Sequence, residues 1–310
     1  MSNEPQSPAE NSEAATRSGF VALIGAPNAG KSTLLNQLVG AKVSIVTHKV
    51  QTTRSLVRGI ATEGQTQIVF VDTPGIFRPR RRLDRAMVKS AWGGAGDADI
   101  IAFLIDAERG IKGDAEAILD SLSEVKQPKV LILNKIDRVE PEKLLALAAE
   151  ANERAQFERT FMISALKGPG CKDVLAYFAS TLPEGPWYYP EDQISDLPMR
   201  QLAAEITREK LYLRLHQELP YSAHVTTEKW EEMKDGSVRI EQVIYVERES
   251  QKKLVLGHKG TTIRSIGQAA RKEIGDILEQ KAHLFLFVKV RENWGDDPER
   301  YREMGLDFSS

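Results

Sequence analysis

The segment Gly25-Ala-Pro-Asn-Ala-Gly-Lys-Ser32 constrains this chain more than any other stretch. It follows the apolar run Phe20–Ile24 and precedes Lys31–Leu38, which has helical spacing, so it matches a phosphate-binding loop in the context such a loop requires. Gly25 and Gly30 let the backbone wrap phosphate groups closely enough for its N–H groups to donate to them. The positive end of the following helix adds to the attraction. Gly25, Ala26, Pro27, Asn28, Ala29, Gly30, Lys31 and Ser32 are therefore all candidate nucleotide contacts. Lys31 is placed to reach the β- and γ-phosphates, and the Ser32 hydroxyl to bind Mg²⁺.

Strand and helix patterns continue to alternate beyond this loop. Gln67–Val71, Ile100–Ile105, Lys129–Leu133 and Thr160–Ile163 are short apolar runs of the kind found in strands covered on both faces. Gly113–Val125, Pro141–Arg154 and Cys171–Thr181 read as helices between or after them. The repetition predicts an α/β unit with a mostly parallel sheet wrapped by helices. Val57–Thr62 reads as a further strand pairing with the next, for which antiparallel pairing is open.

Three further motifs fall at strand ends, where such folds bind ligands. Asp72-Thr73-Pro74-Gly75 supplies a carboxylate for Mg²⁺ at Asp72 and a backbone N–H for the γ-phosphate at Gly75. Asn134-Lys135-Ile136-Asp137 decides the base, because a carboxylate accepts two adjacent hydrogen bonds and guanine, unlike adenine, presents N1–H and N2–H₂ side by side. Asp137 is the expected reader, with Asn134 steadying N7 and neighbouring loops and Lys135 stacking its stem over the ring. Ser164 and Ala165 are small enough to bring backbone N–H groups to guanine O6. In Gln51-Thr52-Thr53-Arg54, Thr53 is the favoured cap for Mg²⁺ and Thr52 the alternative. Lys31, Thr53 and Gly75 are the candidate catalytic residues, and Ser32, Thr53 and Asp72 the candidate metal ligands.

A chain of 310 residues suits two domains. Cys171 is the only cysteine, which excludes an internal disulfide or a cysteine-built zinc site. No apolar segment approaches the roughly 20 residues that cross a bilayer. A cytoplasmic protein is expected. Residues 1–17 are polar and read as a disordered tail, 18–182 as the nucleotide domain, and 183–198, with Pro183, Pro186 and Pro190, as a linker. Residues 199–295 form the second domain and 296–310 a carboxy-terminal tail.

The second domain reads as helix (Met199–Glu218), strand (Ala223–Met233), strand (Val238–Glu247), short helix ending at Gly257, helix (Thr261–Leu278) and strand (His283–Arg291). Asp235-Gly236 marks the hairpin turn. From Arg248 to Arg291 ten Lys/Arg stand against four acids, although the whole chain carries a net charge of only −2. A solvated helix face would account for that surplus as well as a nucleic-acid surface would. Gly257-His258-Lys259-Gly260 lies inside it, between the two helices. Alone, a Gly-x-x-Gly loop is commonly just a helix connection. In this element order it resembles the loop of a type II KH domain, which clamps four single-stranded nucleotides. Gly257, His258, Lys259, Gly260 and Arg264 are the candidate RNA contacts.

Together the motifs resemble the translation-factor-related GTPases, in the TrmE-Era-EngA-like branch concerned with ribosomes and tRNA. A GTPase domain of this branch joined to a carboxy-terminal KH domain is similar to the Era family of ribosome-assembly GTPases, over roughly Ser18 to Trp294. The resemblance implies an α/β P-loop GTPase domain followed by a smaller α+β type II KH domain. It further implies binding of GTP and GDP with Mg²⁺, contact with 16S rRNA near its 3′ end in the 30S subunit, and peripheral association with the cytoplasmic face of the inner membrane. We expect a monomer. A GTPase acting in tRNA modification is the alternative, but the chain lacks a terminal cysteine motif for that chemistry.

Two departures bear on rate. Ile76 stands where many GTPases place a water-orienting glutamine, so slow intrinsic hydrolysis is expected. Resembling GTPases with asparagine at the position of Asn28 can bind K⁺ near the phosphates; K⁺ binding and simple shaping of the loop are equally open readings here. Five arginines between Arg78 and Arg85 read as solvated loop surface in preference to an RNA contact.

Overall fold

The computed structural model describes residues 15–215 and 223–308. Residues 1–14 of the expected amino-terminal tail, and the end of the helix expected to reach Glu218, lie outside the described residues.

The first sheet has six strands: β1 (Arg17–Gly25), β2 (Val57–Glu63), β3 (Thr66–Asp72), β4 (Ile100–Asp106), β5 (Lys129–Asn134) and β6 (Arg159–Ile163). Their spatial order is β2-β3-β1-β4-β5-β6, parallel throughout except for the antiparallel pairing of β2 with β3. Every residue of β3, β4 and β5 is buried, as expected of strands covered on both faces. One face packs under α1 (Lys31–Val39) and α5 (Cys171–Thr181) through Leu34, Leu35, Val174 and Phe178. The other packs under α2 (Arg82–Gly96), α3 (Asp114–Leu122) and α4 (Pro141–Arg154).

Helix α2 has no counterpart in the sequence reading, which placed the arginine run in a loop. Gly93, Gly94 and Gly96 argue against a helix by propensity. Burial of Leu83, Ala86, Met87 and Ala91 outweighs that, and Gly94 gives room to Leu56, which an added Cβ would approach to 3.1 Å. The run is therefore split, with Arg82 and Arg85 on the helix.

The linker is fastened to the first domain. Ile60 N–H donates to Ile194 O at 2.9 Å, Ser195 Oγ to Arg58 O at 2.7 Å and Gln67 Nε2 to Tyr189 O at 2.8 Å. Gly59 and Ser195 form an antiparallel bridge, which covers the edge that β2 would otherwise expose.

The second domain contains α6 (Met199–Arg214), β7 (Ala223–Glu232), β8 (Val238–Val246), α7 (Glu249–Leu256), α8 (Thr261–Leu278) and β9 (Ala282–Val290). Its sheet runs β7-β8-β9, antiparallel then parallel, with α6 and α8 on one face. Residues 296–308, expected as a tail, instead include α9 (Pro298–Glu303). Trp294, Tyr301, Met304 and Leu306 pack against Leu83, Ala86 and Met87 of α2, so this segment ties the second domain to the first.

Candidate nucleotide site and RNA-binding loop

The ends of β1, β3, β4, β5 and β6 converge on a cavity of about 360 Å³ lined by Lys31, Ser32, Gly75, Asn134, Asp137 and Ala165, among others. The loop between β1 and α1 wraps its floor. Gly30 has a φ of 102°, and a Cβ there would sit 2.1 Å from Asn134 Nδ2. Only glycine fits the conformation and the space together. Lys31 is buried and donates from Nζ to the carbonyls of Gly25 and Ala26 at 3.0 and 3.2 Å. Burial lowers its pKa to about 8, while the Asp72 carboxylate opposes the shift.

Asp72 is fully buried at the end of β3. Its Oδ2 accepts from Ser32 Oγ at 2.6 Å, Ser44 Oγ at 2.9 Å and Thr53 Oγ1 at 3.3 Å. Its Oδ1 is buried without a hydrogen-bond partner. Burial raises the pKa of this carboxyl, and Lys31 pulls it back. The hydroxyls of Ser32 and Thr53, with a carboxylate that has an orphaned oxygen, form the hard-oxygen set that Mg²⁺ takes. Of the two candidate threonines, Thr53 faces this cluster, whereas Thr52 Oγ1 donates to Lys49 O at 2.7 Å and pairs with Thr47 Oγ1 at 2.6 Å.

Beyond Asp72, Thr73 is buried and donates from Oγ1 to Leu23 O at 2.8 Å. Pro74 and Gly75 are buried too, and a Cβ on Gly75 would meet Pro27 atoms at 2.9 to 3.0 Å. Ile76 lies in the core, so its side chain is withdrawn from the site. Asn28 donates from Nδ2 to His48 O at 2.9 Å, joining the phosphate loop to the segment between α1 and β2.

At the far end Asn134 holds two loops together. Its Nδ2 donates to Ala29 O at 2.9 Å, and its Oδ1 accepts from Ala165 N–H at 2.9 Å. Lys135 pairs with Asp106 at 2.5 Å. Asp137 is held low in pKa by the Ser164 hydroxyl first and by Lys167, whose Nζ lies 3.0 Å away. A carboxylate there stays ionised and able to accept paired donors.

In the second domain, Gly257 has a φ of 72° and lies so close to Thr262 that a Cβ would come within 2.1 Å of its Oγ1. His258 and Lys259 project as an exposed tip, and Arg264 is exposed one turn into α8. The tip meets the amino-terminal end of α8, whose free N–H groups favour an anion.

The 50S ribosome-binding GTPase family matches residues 20–135, and the KH domain family matches residues 218–295. GTPase Era of Mesorhizobium japonicum is 79% identical over 294 residues, covering 95% of each chain. GTPase Era of Brucella suis is 75% identical over 308 residues, covering 99% of each. A crystal structure of Era in complex with MgGDPNP and nucleotides 1506–1542 of 16S ribosomal RNA superposes with a TM-score of 0.89, at 38% identity, over 94% of this chain and 99% of that one.

This chain belongs to the Era family of GTPases. It is thus a GTPase with a P-loop domain and a carboxy-terminal KH domain, as the sequence resemblance implied.

Within this family frame, three polar residues at the site escaped the sequence reading. Ser44 reaches Asp72 from the segment after α1, Asp106 anchors Lys135 from the end of β4, and Lys167 faces Asp137. None lies in a motif. Only Asp106 carried a usable signal, as an acid closing an apolar strand.

The same segment after α1 also touches the KH domain. Lys42 pairs with Glu209 at 2.7 Å and with Glu273 of α8, and Lys210 pairs with the same two acids. Val46 N–H donates to Glu209 Oε1 at 2.9 Å. Arg54, beside Thr53, is buried and donates to Tyr212 Oη at 2.7 Å and to Ala223 O at 3.0 Å. Arg208 donates to Thr52 O at 2.5 Å.

Proposed function

We propose that this chain is a slow GTP-driven switch that binds 16S rRNA near its 3′ end through the Gly257–Gly260 loop and assists assembly of the 30S subunit. The observation that carries it is the direct bonding between the segment bearing Thr53 and helices α6 and α8 of the KH domain. The bound RNA and nucleotide in the solved Era complex support the ligands assigned.

In this reading the loop from Gly25 to Ser32 cradles the phosphates, with Lys31 neutralising charge on the β- and γ-groups. Ser32, Thr53 and Asp72 hold Mg²⁺, which when bound offsets charge on the phosphate oxygens. The Gly75 N–H meets the γ-phosphate. Asp137 reads guanine, Lys135 covers the ring, and Ser164 and Ala165 approach O6. Lys259 and Arg264 meet RNA phosphates beside the helix terminus. GTP closes Thr53 over the site, and Arg54 and Lys42 carry that movement to the KH domain. With Ile76 in the core, hydrolysis awaits a partner.

Asn28 is assigned a K⁺ contact, which partly replaces an arginine finger. Equal turnover in K⁺ and Na⁺ would reject that assignment. The protein works as a cytoplasmic monomer with peripheral contact to the inner membrane; fractionation of cells that finds it in soluble extract alone would reject the contact.

The function is tested by crosslinking in cells and sequencing the attached RNA. Enrichment of the 16S 3′ end, lost in Lys259→Glu, is the expected result. Enrichment confined to tRNA would contradict it.

A further inference from the structure

Strand β9 is the edge of the KH sheet and presents two different faces. Leu284, Leu286, Val288 and Val290 pack toward the helices, and Leu286 lies against Gly267 of α8. On the opposite face Phe285 and Phe287 are 44% and 49% exposed. A single exposed phenylalanine needs no explanation, but a pair two residues apart on an open sheet edge does.

The carboxy-terminal segment covers one end of that face. Tyr245 lies under Arg300, whose guanidinium is 4.9 Å from the ring centroid, and His224 stacks on Trp294 at 5.4 Å. The carboxy-terminal segment therefore buries the aromatics at one end of the face, while Phe285 and Phe287 stay bare. Two cations, Arg239 and Lys289, and one acid, Glu241, stand beside the rings at the bare end. Arg239 stands 4.9 Å from the Phe285 ring, held by Glu241 at 2.7 Å. His283 pairs in register with Arg239, and exposed Lys289 follows Phe287 by two residues on the same face.

We propose that this face is a second binding surface for single-stranded RNA, on which Phe285 and Phe287 stack bases that continue beyond the Gly257–Gly260 groove. The proposal rests on the reading of that groove as an RNA site. Residues two apart on a strand are about 6.6 Å apart, so the rings can receive two bases laid side by side on a sheet. This is the stacking arrangement by which sheet-based modules hold single strands, with cations serving the backbone. One strand thickness separates the two surfaces, since Leu286 and Val288 face the helices flanking the groove and Phe285 and Phe287 face away. A strand leaving a groove that clamps four nucleotides crosses the β9 edge to reach them.

The test uses the full chain, a non-hydrolysable GTP analogue, and a 5-mer and a 12-mer containing it, both cut from the segment 1506–1542 of 16S rRNA. In F285A/F287A the 12-mer should lose at least about tenfold in affinity, while the 5-mer binds as to wild type. F285W/F287W should keep the 12-mer affinity. Unchanged 12-mer binding in F285A/F287A, or equal loss on both lengths, overturns the proposal. So does a loss of self-association at unchanged RNA affinity, which would make the face a contact between copies. K259E separates the underlying reading: it should weaken both RNAs, and unchanged 5-mer binding would reject the groove while the length-dependent loss remains readable.

Discussion

Lys31 is a buried ammonium whose pKa is brought down to about 8 by desolvation. Phosphates beside it would favour the charged form and raise that pKa on binding. Binding should therefore take up a proton where the free protein has lost it. We predict GDP affinity that is level below about pH 7.5 and weakens through pH 8 to 9, by at most about tenfold per unit. Calorimetry at pH 8.5 in buffers of differing ionisation enthalpy would detect the proton; pH-independent affinity over this range would contradict the assignment. For stability the sign differs. A lysine with a folded pKa below its unfolded value disfavours the fold while charged in both states, and that penalty is relieved from about pH 8 upward. At the base end, Asp137→Ala should weaken GTP binding by about 100-fold or more, from the loss of two hydrogen bonds to a charged acceptor. Binding competition against ATP checks it. The motif residues were legible because their chemistry fixes both type and spacing. Ser44 and Lys167 were not, since loops bring them to the site from positions without a fixed spacing, and Asp106 at the end of β4 offered only the weak signal of an acid closing an apolar strand.

At the scale of elements, the decisive contacts join the segment after α1 to α6 and α8. Arg54→Ala removes buried hydrogen bonds to Tyr212 and Ala223. A loss of about 2–4 kcal/mol in denaturant unfolding is expected. Lys42→Ala breaks a partly exposed cluster and should cost under about 1 kcal/mol. It should nevertheless reduce the difference in RNA affinity between GTP and GDP forms, and an undiminished difference would show that Lys42 carries no coupling. Strand and helix alternation exposed most of these elements in advance, because buried strands leave apolar runs. Helix α2 stayed hidden because its glycines oppose helix formation, and the packing that overrides them with Trp294 and Tyr301 comes from the other end of the chain.

For the whole molecule, the described residues join the two domains through the linker along β2, through the contacts of Lys42, Val46 and Arg54 with α6, α8 and β7, and through the carboxy-terminal segment on α2. Trp294 is fully buried at the third, with His224 stacked on it. Trp294→Ala should cost about 3–5 kcal/mol, seen as a lower unfolding midpoint. A change within about 0.5 kcal/mol would mean the segment is not packed there. This closure was invisible in sequence, where residues 296–310 look like any polar tail. The fold brings that tail, the nucleotide-sensing segment and the RNA loop into one connected body. The central claim is that nucleotide state and RNA binding are linked. Its most direct test is the affinity of the full chain for a 12-mer from the 16S 3′ segment, measured with GDP and with a non-hydrolysable GTP analogue. The account predicts at least about fivefold tighter binding with the GTP analogue, within the usual range of coupling between sites. Equal affinity in the two states would contradict it.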